Sequence, residues 1–286
     1  MMLLETFLKK SKNKRIKIGI GVGTSQKQYR TIINGIIKYL TYNQAEISLF
    51  GYQFDEQETL NEEINTKSRF TIKFIASENP EKEIIKYLKN HKLDAAIRGG
   101  LSSNEFLTTI KSVYNIHQIN RLALLETIEG HQFFFGPVGI DECNDIDAKI
   151  SFLKQSLELF EVMQLKPVIS ILSGGRKGDI GRSSSVDQTI KDAEEIVKQF
   201  KQNLPELKIT HNEILIEKAI TNKSNLILAP NGISGNLIYR TLVHLGGGKA
   251  YGAIYLGIES IIIDTSRVGK ASEIEGALIL ANALHS

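Results

Sequence analysis

LAPNGISGNLIYRTLVHLGGGKAYGAIYLGIESIIIDTSR, residues 228–267, carries the alternation that decides the fold. A short apolar strand over 226–229 runs into Pro230, Asn231, Gly232, Ile233, Ser234, Gly235 and Asn236, a turn too rich in Gly and Asn for a regular element. A helix follows, with Leu237, Ile238, Leu242 and Leu245 near helical spacing. It ends at Gly246, Gly247 and Gly248, where a left-handed cap is sterically easy. Two further strands lead to Asp264, Thr265, Ser266 and Arg267. Ligands of open α/β sheets bind at the C-terminal ends of the strands, so this layout sets a polar loop and a hydroxyl–guanidinium pair where they can meet an anion.

The same alternation runs outward through the chain. Strand-like runs at 15–22, 47–51, 71–76, 94–98, 121–126, 168–173, 226–229, 252–257 and 260–264 are separated by helical patterns, the longest at about 145–163. This predicts an α/β protein with mostly parallel sheets in three-layer α/β/α domains. Four helix starts show the capping-box spacing: Ser25 with Gln28, Ser102 with Glu105, Ser185 with Gln188, and Ser272 with Glu275. Pro80 after Asn79 marks a fifth. Helix N-termini gathered at one sheet edge favour an anion there.

The chain has 286 residues, 42% hydrophobic and 23% charged, and a formal net charge of +3, values of a folded protein with a sizeable core. Lys and Arg are interleaved with Asp and Glu rather than striped, which argues against a nucleic-acid partner. The single cysteine, Cys143, excludes an internal disulfide, and six histidines without metal-ligand spacing predict no metal site. The apolar-first N-terminus is not a secretory leader, and no run approaches the roughly 20 apolar residues of a membrane span. A cytoplasmic protein without a membrane segment is expected.

Four segments carry candidate chemistry. At 173–185, Ser173, Gly174, Gly175, Arg176 and Lys177 open a loop whose glycines admit backbone amides to a ligand, whose cations neutralise it and whose hydroxyls donate to it; the GK[ST] ending of a Walker loop is missing. Arg98 to Ser102 end the strand at 94–98. Asn231, Gly235 and Asn236 line the turn after 226–229, where a side-chain amide can both donate and accept. Gly19, Gly21 and Gly23 make a GxGxG turn of the kind S-adenosylmethionine enzymes use. The acidic residue usual before it is absent, and Asp55 lies beyond the second strand. Such turns also arise in α/β folds for packing.

Residues 133–286, and more faintly 15–130, resemble the phosphate acetyl/butyryltransferase superfamily, which carries a PD-x-x-x-GN turn, a helix ending in LGG, an A-x-GP strand and a closing SRG. The matching residues are Pro230-Asn231, Gly235-Asn236, Leu245-Gly246-Gly247, Ala250-Tyr251-Gly252 and Ser266-Arg267. Within it, the chain is similar to the MtxX family of methanogenic archaea, methanogenesis marker protein 4, labelled as methyltransferases. The resemblance implies an isocitrate/isopropylmalate dehydrogenase-like fold with domains at 1–140 and 141–265, and a final helix at 266–286 that returns to the first. It implies an interdomain cleft in which Ser266 and Arg267 hold the anionic group, with an acid about a turn onward, Glu273 or Glu275. Three departures stand out: Asn231 replaces an Asp, the His of the loop after 94–98 is missing near Asn104-Glu105, and Val268 replaces a Gly.

The function so implied is methyl transfer to or from a small anionic substrate, in connection with a methanogenic methyltransferase complex. The runner-up is acyl transfer between phosphate and coenzyme A, and the other alternative is a non-catalytic metabolite-binding or accessory protein. The cofactor stands open between S-adenosylmethionine and coenzyme A, and superfamily membership implies a homodimer.

Overall fold

The computed structural model describes residues 3–11, 15–52 and 72–285. Thr71, at the start of one expected strand, and Asp55 lie outside the described residues. The chain forms two compact units, 3–119 with 250–286, and 120–249.

In the first unit α1 (Leu3–Ser11) precedes β1 (Arg15–Val22), α2 (Gln26–Leu40), β2 (Gln44–Gly51), β3 (Ile72–Ala76), α3 (Pro80–Lys89), β4 (Ala95–Ile97) and α4 (Ser103–Tyr114). The chain returns with β10 (Lys249–Leu256), β11 (Ile261–Asp264) and α9 (Ala271–Leu284). The strand order is β3-β2-β1-β4-β11-β10, parallel except for the antiparallel pair of β10 and β11. Largely apolar strands such as IKIGIGV, exposed within that run only at Lys17, need cover on both faces. α3 and α4 cover one face through Ile84, Ile85, Leu88, Phe106 and Ile110 around Phe50 and Ile262. On the other, Gly35 of α2 lets that helix approach Ala271 and Ile274 of α9, giving three layers.

The second unit contains β5 (Asn120–Glu126), β6 (Gln132–Gly136), α5 (Ile146–Val162), β7 (Val168–Ile171), α6 (Ser184–Asn203), β8 (Lys208–His211), α7 (Ile216–Thr221), β9 (Leu226–Leu228) and α8 (Gly232–His244). Its strands run β5-β6-β9-β7-β8, parallel apart from the β5–β6 hairpin. The Phe134 and Phe160 rings, 5.4 Å apart, join the sheet to α5. The expected borders at 140 and 265 fall inside these units. The β5–β6 hairpin and the β6–β9 pairing hold 120–136 in the second unit, and the β10–β11 pairing holds 250–264 in the first.

Most expected helix caps differ. Ser25 accepts from the Gln28 amide at 3.5 Å, and Pro80 opens α3. Ser102 and Ser183 occupy N-cap positions without a side-chain bond, and α9 is preceded by Lys270 rather than by Ser272. Spacing alone set those boxes, and hydroxyl–backbone bonds are easily displaced by tertiary partners. Among the described residues no helix is long and apolar enough to cross a membrane.

Candidate functional site

The C-terminal ends of β1, β4 and β11 lie side by side because β4 pairs in parallel with both of the others. The loops that leave them are stitched together: the Arg98 amide donates to Ile263 O at 2.9 Å and the Gly100 amide to Gly21 O at 2.8 Å. Gly99 has φ +59°, and a Cβ there would stand 2.0 Å from Gly21 O. The glycines of the GIGVG turn therefore admit the 98–101 loop at close range. That is the packing alternative for this turn.

Arg98, 5% exposed, donates through Nε to Asp264, through Nη1 to Leu101 O at 2.8 Å and through Nη2 to Thr265 O. Its guanidinium ties two loops together, whereas the sequence placed it among the anion ligands. Arg267 is different. It is exposed, and its Nε donates to Leu101 O at 3.2 Å, while Gln28 Nε2 donates to its carbonyl at 3.1 Å. Among the described residues no carboxylate pairs with it. Gln28 was legible only as a capping residue, and its reach across to Arg267 has no local sequence signal.

Glu273, in the first turn of α9, settles which acid stands beside Ser266: its Oε1 accepts the Ser266 amide at 2.7 Å. Glu275 instead binds Lys38 at 2.5 Å and the Tyr42 hydroxyl. Glu273 is 5% exposed, and burial pushes its pKa from 4.5 up to about 8, against the Ser266 amide and Arg98 and with the help of Asp264. The folded pKa lies above the unfolded one, so the folded state binds the extra proton. That contribution is complete below 4.5 and is lost as pH rises to about 8. Stability should fall through this window by at most about 1.4 kcal/mol per pH unit. Glu273→Gln should flatten the fall when midpoints are measured at several pH values across it. Parallel profiles for variant and parent would refute the assignment. Ser102, at the start of α4, donates its amide to the buried Glu81 at 3.0 Å, a contact not signalled by the sequence.

In the second unit the loop after β7 is braced internally. Ser173, 1% exposed, bonds Gly175 O and His211 Nε2, both at 2.8 Å, and Gly174 donates to Thr189 Oγ1 at 2.8 Å. His211, unmarked by spacing, has its pKa lowered by burial, and its Nδ1 has no partner among the described residues. Lys177 pairs with Glu194 at 2.7 Å and Arg182 with Asp179 at 2.6 Å. Arg176 is exposed, and its backbone amide donates to Asp179 Oδ2 at 2.9 Å. Exposed pairs such as these are weak enough to open for a ligand.

The segment read from the sequence as a turn at 230–236 is mostly helix: α8 begins at Gly232, so Gly235 and Asn236 lie in its first turns, because the Asn231 cap starts the helix there. Asn231 Oδ1 accepts the Ser234 amide at 2.9 Å as an N-cap, and Asn236 Nδ2 donates to Val138 O at 2.8 Å. A Cβ on Gly235 would stand 2.0 Å from Pro137 O, so glycine lets α8 begin against that strand end. Among the described residues no group of three His, Cys, Asp or Glu is arranged to hold a metal ion.

The architecture around these residues is the phosphotransacetylase fold. A phosphotransacetylase from Staphylococcus aureus superposes with a TM-score of 0.69 at 16% identity, over 99% of this chain and 98% of its own. One from Streptococcus pyogenes gives 0.71 at 16%, over 98% and 97%. No family model matches the chain. By sequence it is 42% identical over 215 residues, 74% of this chain and 77% of the relative, to "Putative methyltransferase mtx subunit X" of Methanosarcina barkeri. An uncharacterized methyltransferase of Methanocaldococcus jannaschii is 36% identical over 197 residues, 66% of this chain and 78% of that protein. The chain belongs to the MtxX family.

Proposed function

We propose that this MtxX-family chain transfers a methyl group on a small anionic substrate gripped at the ends of β4 and β11. The observation that carries the reading is Arg267, an exposed guanidinium anchored by one bond to Leu101 O and matched by no carboxylate among the described residues. Arg offers a planar fork to an oxyanion. Ser266 adds a hydroxyl, and Glu273, protonated near neutral pH, adds no negative charge to repel the substrate. In this reading Ser266, Arg267 and Glu273 form the reacting site. Arg98 positions its loops and Ser102 presents the start of α4. The helix starts and cations act by holding reactants and stabilising developing negative charge.

In the second unit Ser173, Gly174, Gly175, Arg176 and Lys177 are proposed as an anion-binding loop, with Asn231, Gly235 and Asn236 at the start of α8. The relatives' names support methyl transfer and, through "subunit X", a place in a methyltransferase complex. The fold of the structural neighbours supports the second reading, acyl transfer between phosphate and coenzyme A.

A thermal-shift panel separates the readings, since a ligand of the folded state raises the midpoint. S-adenosylmethionine, coenzyme A, acetyl-CoA, inorganic phosphate and acetyl phosphate are the probes. A shift with S-adenosylmethionine supports methyl transfer, and a shift with the coenzyme A ligands or acetyl phosphate supports acyl transfer. A ligand that binds without turnover supports an accessory protein, and no shift with any probe refutes the anion site.

A homodimer is also proposed, on the α8 face. Leu237 is 61% exposed and Leu245 84%, with Ile233 nearby and Ile128 beside Gly247, an apolar surface of the kind monomers seldom leave open. Light scattering should give twice the chain mass, and Leu237→Glu should give the monomer mass. A monomeric parent refutes this interface.

A further inference from the structure

The first unit has a second place suited to an anion, at the opposite end of its sheet. The N-terminal halves of β1 and β2, with β3 and the turn after α3, line a cavity of about 640 Å³, within the size range of small-molecule sites. Arg15, Lys17, Lys73 and Lys92 line it, against a single lining carboxylate, Glu46. Glu46 is already paired with Arg15 at 3.0 Å. Among the described residues no carboxylate pairs with the side chains of Lys17, Lys73 or Lys92. Lys92 instead stands 4.8 Å over the Tyr87 ring, a weaker partner for a cation.

The register explains the gathering. Lys17 faces Glu46 across β1 and β2, and Ser48 faces Lys73 across β2 and β3, so these side chains rise from one face of the sheet. On that face Leu93 and Tyr87 bound the cavity, Ile75 adds apolar wall, and Ser48 and Tyr87 bring hydroxyls. Cations in a concave site with low-dielectric walls focus their field and draw multiply charged anions. Lysine serves such ligands as a point charge, and the apolar wall suits an organic portion.

We propose that this cavity binds a phosphate ester of nucleotide size, separately from the substrate site at Arg267. The test is a lysine footprint of the full chain, with acetyl N-hydroxysuccinimide as label and ADP or inorganic pyrophosphate as probe. ADP should protect Lys17, Lys73 and Lys92 but not Lys198, an exposed lysine of the second unit. Calorimetry should show ADP binding weakened about ten-fold or more by Lys73→Glu or by Lys92→Glu, the usual effect of losing a charged contact. Pyrophosphate, lacking the organic portion, should bind less tightly than ADP. Absence of protection, affinity unchanged in folded charge-reversal variants, or pyrophosphate binding as tight as ADP would each overturn the proposal. Arg267 lies at the other end of the strands, so failure of the substrate site leaves this footprint intact and the two readings fail separately.

Discussion

Asp264→Ala should lower stability by about 3–5 kcal/mol, because it strips a buried guanidinium of its counter-charge. Arg98 and Asp264 have side chains 6% and 14% exposed, so little water reaches the orphaned cation. For a chain of this size each kcal/mol moves the midpoint by roughly 2–4 °C, so the loss is readable by calorimetry. Replacing both partners with apolar residues, Arg98→Met with Asp264→Leu, should recover part of the loss by removing both charges. Recovery stays partial because Leu101 O and Thr265 O lose the donors that Arg98 supplies. An Asp264→Ala protein as stable as its parent would show that the pair does not hold these loops.

Arg267→Ala should leave the fold intact and weaken the anionic ligand found in the thermal-shift panel by about 1.5–3 kcal/mol, 10- to 150-fold in dissociation constant. The fold should survive because the side chain is exposed and makes one bond, to a carbonyl that also accepts from Arg98. Arg267→Lys distinguishes the kind of grip. A bidentate contact loses most of its strength with lysine, while a point-charge contact keeps it. Titration calorimetry of the three proteins reads both outcomes. Unchanged affinity in a folded Arg267→Ala protein would remove the substrate site from this edge of the sheet.

Several elements were legible from local pattern. β1 and α5 match their expected spans closely, since IKIGIGV is a strand-length apolar run and Asp145 supplies a side-chain cap at the start of α5. Two strands were missed. β6 lies in QFFFG, whose consecutive aromatics have no period, and β8 in KITH, only four residues long. The acid beside Ser266 illustrates the limit at the site. Glu273 and Glu275 are two residues apart on one helix and equivalent by composition, yet they face opposite partners, Ser266 and the Lys38–Tyr42 pair.

The sequence by itself determined the α/β alternation, the MtxX resemblance and the delivery of Ser266 and Arg267 to a strand end. Each depends on residues near one another along the chain, where periodicity and turn chemistry act. Only the tertiary structure decided that Arg98 is bound to Asp264, that Arg267 is left exposed, that Asn231 caps its own helix and that Glu273 is buried with its pKa raised. These are outcomes of pairing and desolvation between segments far apart in sequence, and a charge acquires its role from what is packed around it.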